Sequence, residues 1–149
     1  MQEGSEGVLQ MTDPDYDIAK FLIDPNITGV DLPSTGGAKN LFVSEMPPDP
    51  DFAVSVIRYS GSPPTETFGN PLLIRHPRVQ VMVRHTTSKD ALTVAGDIVK
   101  LLCQVKDQVV NGTTYQRIKS QGEPFEIGPD SRNRQRASVN FTVDYYDSV

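Results

Sequence analysis

The sequence predicts an α+β fold: a single domain whose mainly antiparallel β-sheet packs against two α-helices. Three observations predict it. Two segments, DPDYDIAKFLID and TTSKDALTVAGDIVKLLCQV, carry apolar residues at helical spacing. Several others are rich in β-branched residues and alternate with a period of two. The length of 149 residues, with 37% hydrophobic side chains, supplies one modest core.

The elements follow in order. Residues 1–12 show no periodicity and are expected to be mobile, so the domain is placed at 13–149. Asp13 is a good N-cap, Pro14 suits the first helical position, and Asp15 and Asp17 complement the positive end of the helix dipole. Ile18, Phe21 and Leu22 give the apolar stripe, and Pro25 stops the helix. NITGVDLPSTGGAKN, residues 26–40, reads as loop. NLFVSEMP, residues 40–47, is a short strand, PPDPD is rigid and extended, and FAVSVIRYSG, residues 52–61, is a strand.

Residues Ser62–Pro77 hold four prolines and two possible turns, which predicts a long loop of the kind that often carries function. RVQVMVRH follows as the clearest strand, with Val79, Val81 and Val83 on one face and Gln80, Met82 and Arg84 on the other. The main helix is capped by Thr87 or Ser88. Its apolar face is Ala91, Val94, Ala95, Ile98, Leu102 and Val105, and Cys103 reads as an apolar filler. Asn111-Gly112 is a strong turn pair, so a hairpin with a strand over Tyr115–Ser120 follows, ended by Gly122 and Pro124. In the last strand Ala137, Val139, Phe141, Val143 and Tyr145 share one face. Arg136, Ser138, Asn140, Thr142 and Asp144 share the other, and Arg132 and Arg134 continue that polar phase. A solvated strand edge explains the arginine spacing, with a subunit or partner contact as the alternative. The predicted order is α, β, β, long loop, β, long α, β, β.

Charge narrows the function classes. The net charge is −5, which argues against a general nucleic-acid binder. Residues 1–57 hold two Lys and ten acids, giving −8; residues 58–149 hold twelve Lys or Arg and nine acids, giving +3. Such polarity suits a subunit that docks against copies of itself. One cysteine allows no internal disulfide. No apolar run approaches the roughly 20 residues of a membrane span. MQEGSEGVLQ lacks the pattern of a signal peptide, so the Asn-x-Thr sequons at Asn26, Asn111 and Asn140 read as coincidence and a cytoplasmic origin is expected.

Tests for site chemistry find no constellation. The acids at 13, 15 and 17 start like a calcium loop, but Ile18 stands where the sharp turn wants Gly and Asp24 where a bidentate Glu belongs. His76 and His85, with one Cys elsewhere, make no zinc pattern. Nucleophile elbows and phosphate loops are missing. No aromatic ladder interleaves with basic residues, and Tyr145 and Tyr146 stand beside Asp144 and Asp147, which repel phosphates. No catalytic, cofactor-binding or metal residue is assigned. The residues favour a structural or interaction protein over an enzyme.

The order of motifs resembles the tail terminator family of long-tailed bacteriophages, also labelled minor capsid or tail completion proteins. The resemblance runs from about Tyr16 to Tyr146. It rests on DIAKFLI followed by Gly29, then NLFVSEMPPDPDFAVSVIRYSG closed by Gly61, then HPRVQVMVRH opened by Pro77 and closed by Arg84. The helix ALTVAGDIVKLL and the segments YQRIKSQGEPFEIGPD and RASVNFTVDYY complete it. Two departures concern loops: Gly61-Ser62 stands where the family has Gly-Gly, and SRNRQR is longer and more basic than the family's late turn.

The resemblance implies a virion protein without catalysis or cofactor. Such a protein forms a hexameric ring on the head-proximal end of the tail tube, stops tube polymerisation and presents a surface for head-tail joining. Its implied partners are five further copies, the tail tube protein and the connector or neck proteins, with DNA passing through the ring without sequence recognition and no membrane involved. Assembly in the host cytoplasm is implied too. Candidate contacts are Arg132, Arg134 and Arg136, and the Ser62–Pro77 loop, with Arg75 near its end and Arg78 just beyond. Rival readings are a neck or head-completion protein, a small-ligand module or enzyme with an unrecognised site, and a nucleic-acid binder using the arginine segment.

Overall fold

A computed structural model describes residues 13–23, 40–66 and 72–148. The expectations for residues 1–12, for Pro25 and for the loop at 26–39 lie outside the described residues. The elements are α1 (Pro14–Ile23), β1 (Leu41–Val43), β2 (Ala53–Glu66), β3 (Leu72–His85), α2 (Ser88–Leu102), β4 (Lys106–Val110), β5 (Thr113–Ser120), β6 (Phe125–Pro129) and β7 (Gln135–Ser148). The seven strands form one sheet in the order β1-β2-β3-β7-β5-β4, and β6 pairs with β7 alongside β5. Every pair is antiparallel except β1 with β2. The α+β class predicted from sequence is the fold observed.

Alternation builds the core. Val79, Val81 and Val83 of β3 and Ala137, Val139, Phe141 and Val143 of β7 are fully buried on one face. Val54 and Val56 of β2 join them, because Val54 pairs with Val83 and Val56 with Val81. Both helices cover this same face. Ile18, Phe21 and Leu22 come from α1, and Ala91, Ala95, Ile98, Leu101 and Leu102 from α2. Truncating Phe141 to Ala there costs about 3–5 kcal/mol.

Local chemistry sets the ends. Thr87 caps α2 by accepting the Asp90 N–H at 3.1 Å. Asn111 (φ 51°) and Gly112 (φ 79°) both take the left-handed conformation that a two-residue hairpin turn requires. At the far end of α1's stripe, Asp17 is buried but satisfied: it accepts the Tyr115 hydroxyl and, at 2.8 Å, the Asn111 amide. Burial, then that bond, pushes the Tyr115 phenol well above its ordinary value, so it stays a donor.

Three expectations are corrected. Of the predicted loop Ser62–Pro77, the described residues are strand: β2 runs on to Glu66, and β3 begins at Leu72. Pro63 and Pro64 fit because β2 pairs with β3 with register shifts between Arg58 and Gly61 and between Ser62 and Thr65, while β1 reaches only Val54–Val56 on its other side. A proline on an unpaired strand side costs no ladder bond. Next, the last strand is not an edge. It lies between β3 and β5, and it begins at Gln135, so Arg132 and Arg134 precede it in a turn and are not in its polar phase. Last, four strands follow α2, two more than predicted, and β1 is only three residues long.

Candidate assembly surfaces

The arginine segment is built around Asp130. Its Oδ1 accepts the backbone N–H of Arg132 at 3.0 Å and of Arg134 at 2.9 Å, while Oδ2 accepts Arg134 Nε at 2.9 Å. Asn133 (φ 63°) closes the turn. Burial pushes the Asp130 carboxyl up, but the bonds from Arg134 and Arg132 outweigh it and hold the group at about 2.

Arg134 then reaches across to a segment more than eighty residues earlier in the chain. It donates to Pro48 O and, at 3.3 Å, to Asp51 Oδ1, and its side chain is only 9% exposed. Arg84 completes this grip, donating from Nε to Asp51 O at 3.2 Å and from Nη2 to Pro50 O. Burial and the nearby Arg134 lower the Arg84 value. Arg132 bonds Pro48 O at 3.3 Å and Asp49 at 3.1 Å, with about half its side chain exposed. Arg136 donates to Gly128 O and Pro129 O. All three predicted arginines thus bind their own chain, and Arg132 and Arg134, with Arg84, fasten the Pro48–Asp51 strap to the end of the sheet.

Arg75 and Arg78 lie elsewhere, in the first half of β3. Arg75 pairs with Asp147 at 2.9 Å, with 44% of its side chain exposed. Arg78 has a buried Nε with no partner among the described residues. Beside them runs a ladder that sequence reasoning did not find. His76 Nδ1 bonds Asp144 Oδ1 at 2.7 Å, Arg117 Nε donates to Asp144 Oδ2 at 3.0 Å, and His76 Nε2 lies 2.9 Å from Thr65 Oγ1. Its signal is register. Arg117 pairs directly with Asp144 on β7, and Ser62 pairs with His76 on β3.

The sheet face away from the helices is polar. Ser55, Met82 and Ser138 form one row in register across β2, β3 and β7. The hydroxyls of Ser55 and Ser138 and Oδ1 of Asn140 are buried without partners among the described residues. Beyond the core, β2 is exposed throughout Arg58–Glu66, so this half of β2 is an exposed edge arm laid on β3, which β7 flanks on its other side. Among the described residues no group of three or more His, Cys, Asp or Glu is placed to hold a metal. No helix among them is long and apolar enough to cross a membrane.

A sheet packed by helices on one face, polar on the other and exposed along the Arg58–Glu66 edge of β2, is a body with surface left for docking. A solved structure, "Virion of native gene transfer agent (GTA) particle", contains a chain of similar fold. The two chains are 12% identical, the match covers 89% of this chain and 94% of that chain, and the TM-score is 0.54. No curated protein matches the sequence. The family model described as "Bacteriophage tail terminator protein" matches residues 22–147, and the chain belongs to that family. It is a structural protein of a phage-like tail.

Proposed function

We propose that this chain is the terminator itself. It forms a hexameric ring on the head-proximal end of the tail tube, stops tube polymerisation and offers the surface on which the head is joined. The observation that carries this reading is the family match over residues 22–147, which takes in seven of the nine elements whole, β7 but for Ser148, and the end of α1. The structure supports it in kind. Sheet edges at β1 and β4 and the exposed Arg58–Glu66 edge of β2 give one copy several different patches. A closed ring needs different patches to meet between neighbours. The charge polarity, −8 over residues 1–57 and +3 over the remainder, favours such unlike contacts.

The test is deletion of the gene from its virus or prophage, followed by negative-stain measurement of tail lengths. Tubes of uncontrolled length are the expected result. Tails of normal length that fail to join heads would move the protein to the neck, and normal infectious particles would overturn the assembly role.

A further inference from the structure

We propose that a cationic cleft at the root of the β2–β3 arm receives a carboxylate side chain from a second copy of this chain. The cleft is lined by Arg58, Ser60, Ser62, Arg75, His76 and Tyr145, with no Asp or Glu among the described residues of its lining. It rests on the ring reading above and assigns one of its contacts.

The lining offers donors. Arg58 is exposed and makes no hydrogen bond or ion pair with a described residue, though Asp13 of the same chain lies close enough to feel its charge. Arg75 bonds Asp147 through Nε, and its other N–H groups make no bond with a described residue. Burial pushes the Tyr145 phenol up, so it too stays a donor. The floor is set by Gly61, where a Cβ would stand 2.6 Å from His76 O and 2.9 Å from Pro77 Cα. Glycine alone lets the two strands close up beneath the cleft.

The surroundings choose the occupant. Asp147, Asp144 and Glu66 stand around the cleft on the same strands. A phosphate backbone laid along the arm would meet these carboxylates, whereas one inserted Asp or Glu reaches the two guanidiniums without crossing them. A net charge of −5 makes unselective contact between copies repulsive, so a stable contact has to join an acidic part of one copy to a cationic part of the next. The acidic part is residues 1–57, at −8.

The experiment is zero-length carbodiimide crosslinking of Arg58→Lys, with light and heavy nitrogen copies mixed before assembly. The new amine attacks an activated carboxylate, an amide forms, and the carbodiimide takes up the water as a urea. The reaction is run on the concentrated full chain and on assembled tails. Amides joining position 58 of one isotope to an Asp or Glu within residues 1–57 of the other, at the statistical share of mixed pairs, are expected. Links confined to one copy, links to another tail protein, or no links overturn the proposal. Should Arg58→Lys fail to fold, Arg75→Lys carries the same test. Absence of the protein from tails would sink the functional reading, while its presence without inter-copy amides would sink this contact.

Discussion

The two ends of β2 and β3 use the same residue type to opposite effect. At one end Arg84 and Arg134 are buried, and their donors are spent on Pro48, Pro50, Asp51 and Asp130. At the other, Arg58 and Arg75 stand exposed on an arm that the helices do not cover. The guanidinium is the same at the two ends; its burial and its bonds to backbone carbonyls differ. Where backbone carbonyls and a buried carboxylate surround a guanidinium, it serves the fold. Where they are sparse, it is open to a partner.

The largest expected effect is at the clamped end. Arg134→Met leaves the Asp130 carboxylate without the cation bonded to it and loosens the Pro48–Asp51 strap. The melting temperature should fall by several degrees at pH 7, with faster amide exchange near residue 51. Acid should shrink the difference. Asp130 sits at about 2 in the fold against an ordinary 3.8, so between those values the unfolded chain binds more protons. The stabilisation is fully present above pH 4 and is lost as pH falls through about 2. A difference that stays constant between pH 5 and pH 2 would break the assignment.

A middle effect belongs to the tether of α1. Tyr115→Phe removes the hydroxyl that Asp17 accepts and leaves a buried carboxylate with one bond fewer. The cost should be about 1–3 kcal/mol by urea unfolding. Were it negligible, α1 would be held by its apolar stripe alone, and the polar anchoring seen at the clamped end would not extend to the helix.

The sequence was legible where partners are near or where pattern alone decides. The alternation of Val79, Val81 and Val83, the Thr87 cap and the Asn111-Gly112 turn each depend on a few neighbouring residues. The arm was misread because proline breaks a strand only where its missing N–H faces a partner, and Pro63 and Pro64 lie beyond the reach of β1. The arginine turn was read as strand because its alternate spacing is real, while its acceptors at Pro48 and Asp51 lie over eighty residues away. The His76–Asp144–Arg117 ladder needs the pairing of β3 with β7 and of β7 with β5, which no local pattern supplies.

A smaller effect is expected within the arm. Gly61→Ala puts a methyl group into the His76 backbone, and the exposed arm can yield, so the cost should be about 1–2 kcal/mol. Hydrogen exchange should place the damage in Arg58–Glu66 and leave Val139–Val143 protected. Loss of protection in both regions together would mean that the arm is part of the core's cooperative unit and that the contrast between the ends is false.

The smallest effect sharpens the contrast most. The Arg75–Asp147 pair is 2.9 Å long, but its side chains are 44% and 35% exposed. Water competes for both groups, so Arg75→Gln should cost about 0.2–1 kcal/mol, less at high salt. The same guanidinium chemistry at Arg134 should cost far more, because its side chain is only 9% exposed. If Arg75→Gln were as damaging as Arg134→Met to the isolated chain, Arg75 would be a structural residue and its place in a docking cleft would lose its physical basis. A near-neutral effect on stability, joined to loss of assembly, is what separates an arginine kept for a partner from one kept for the fold.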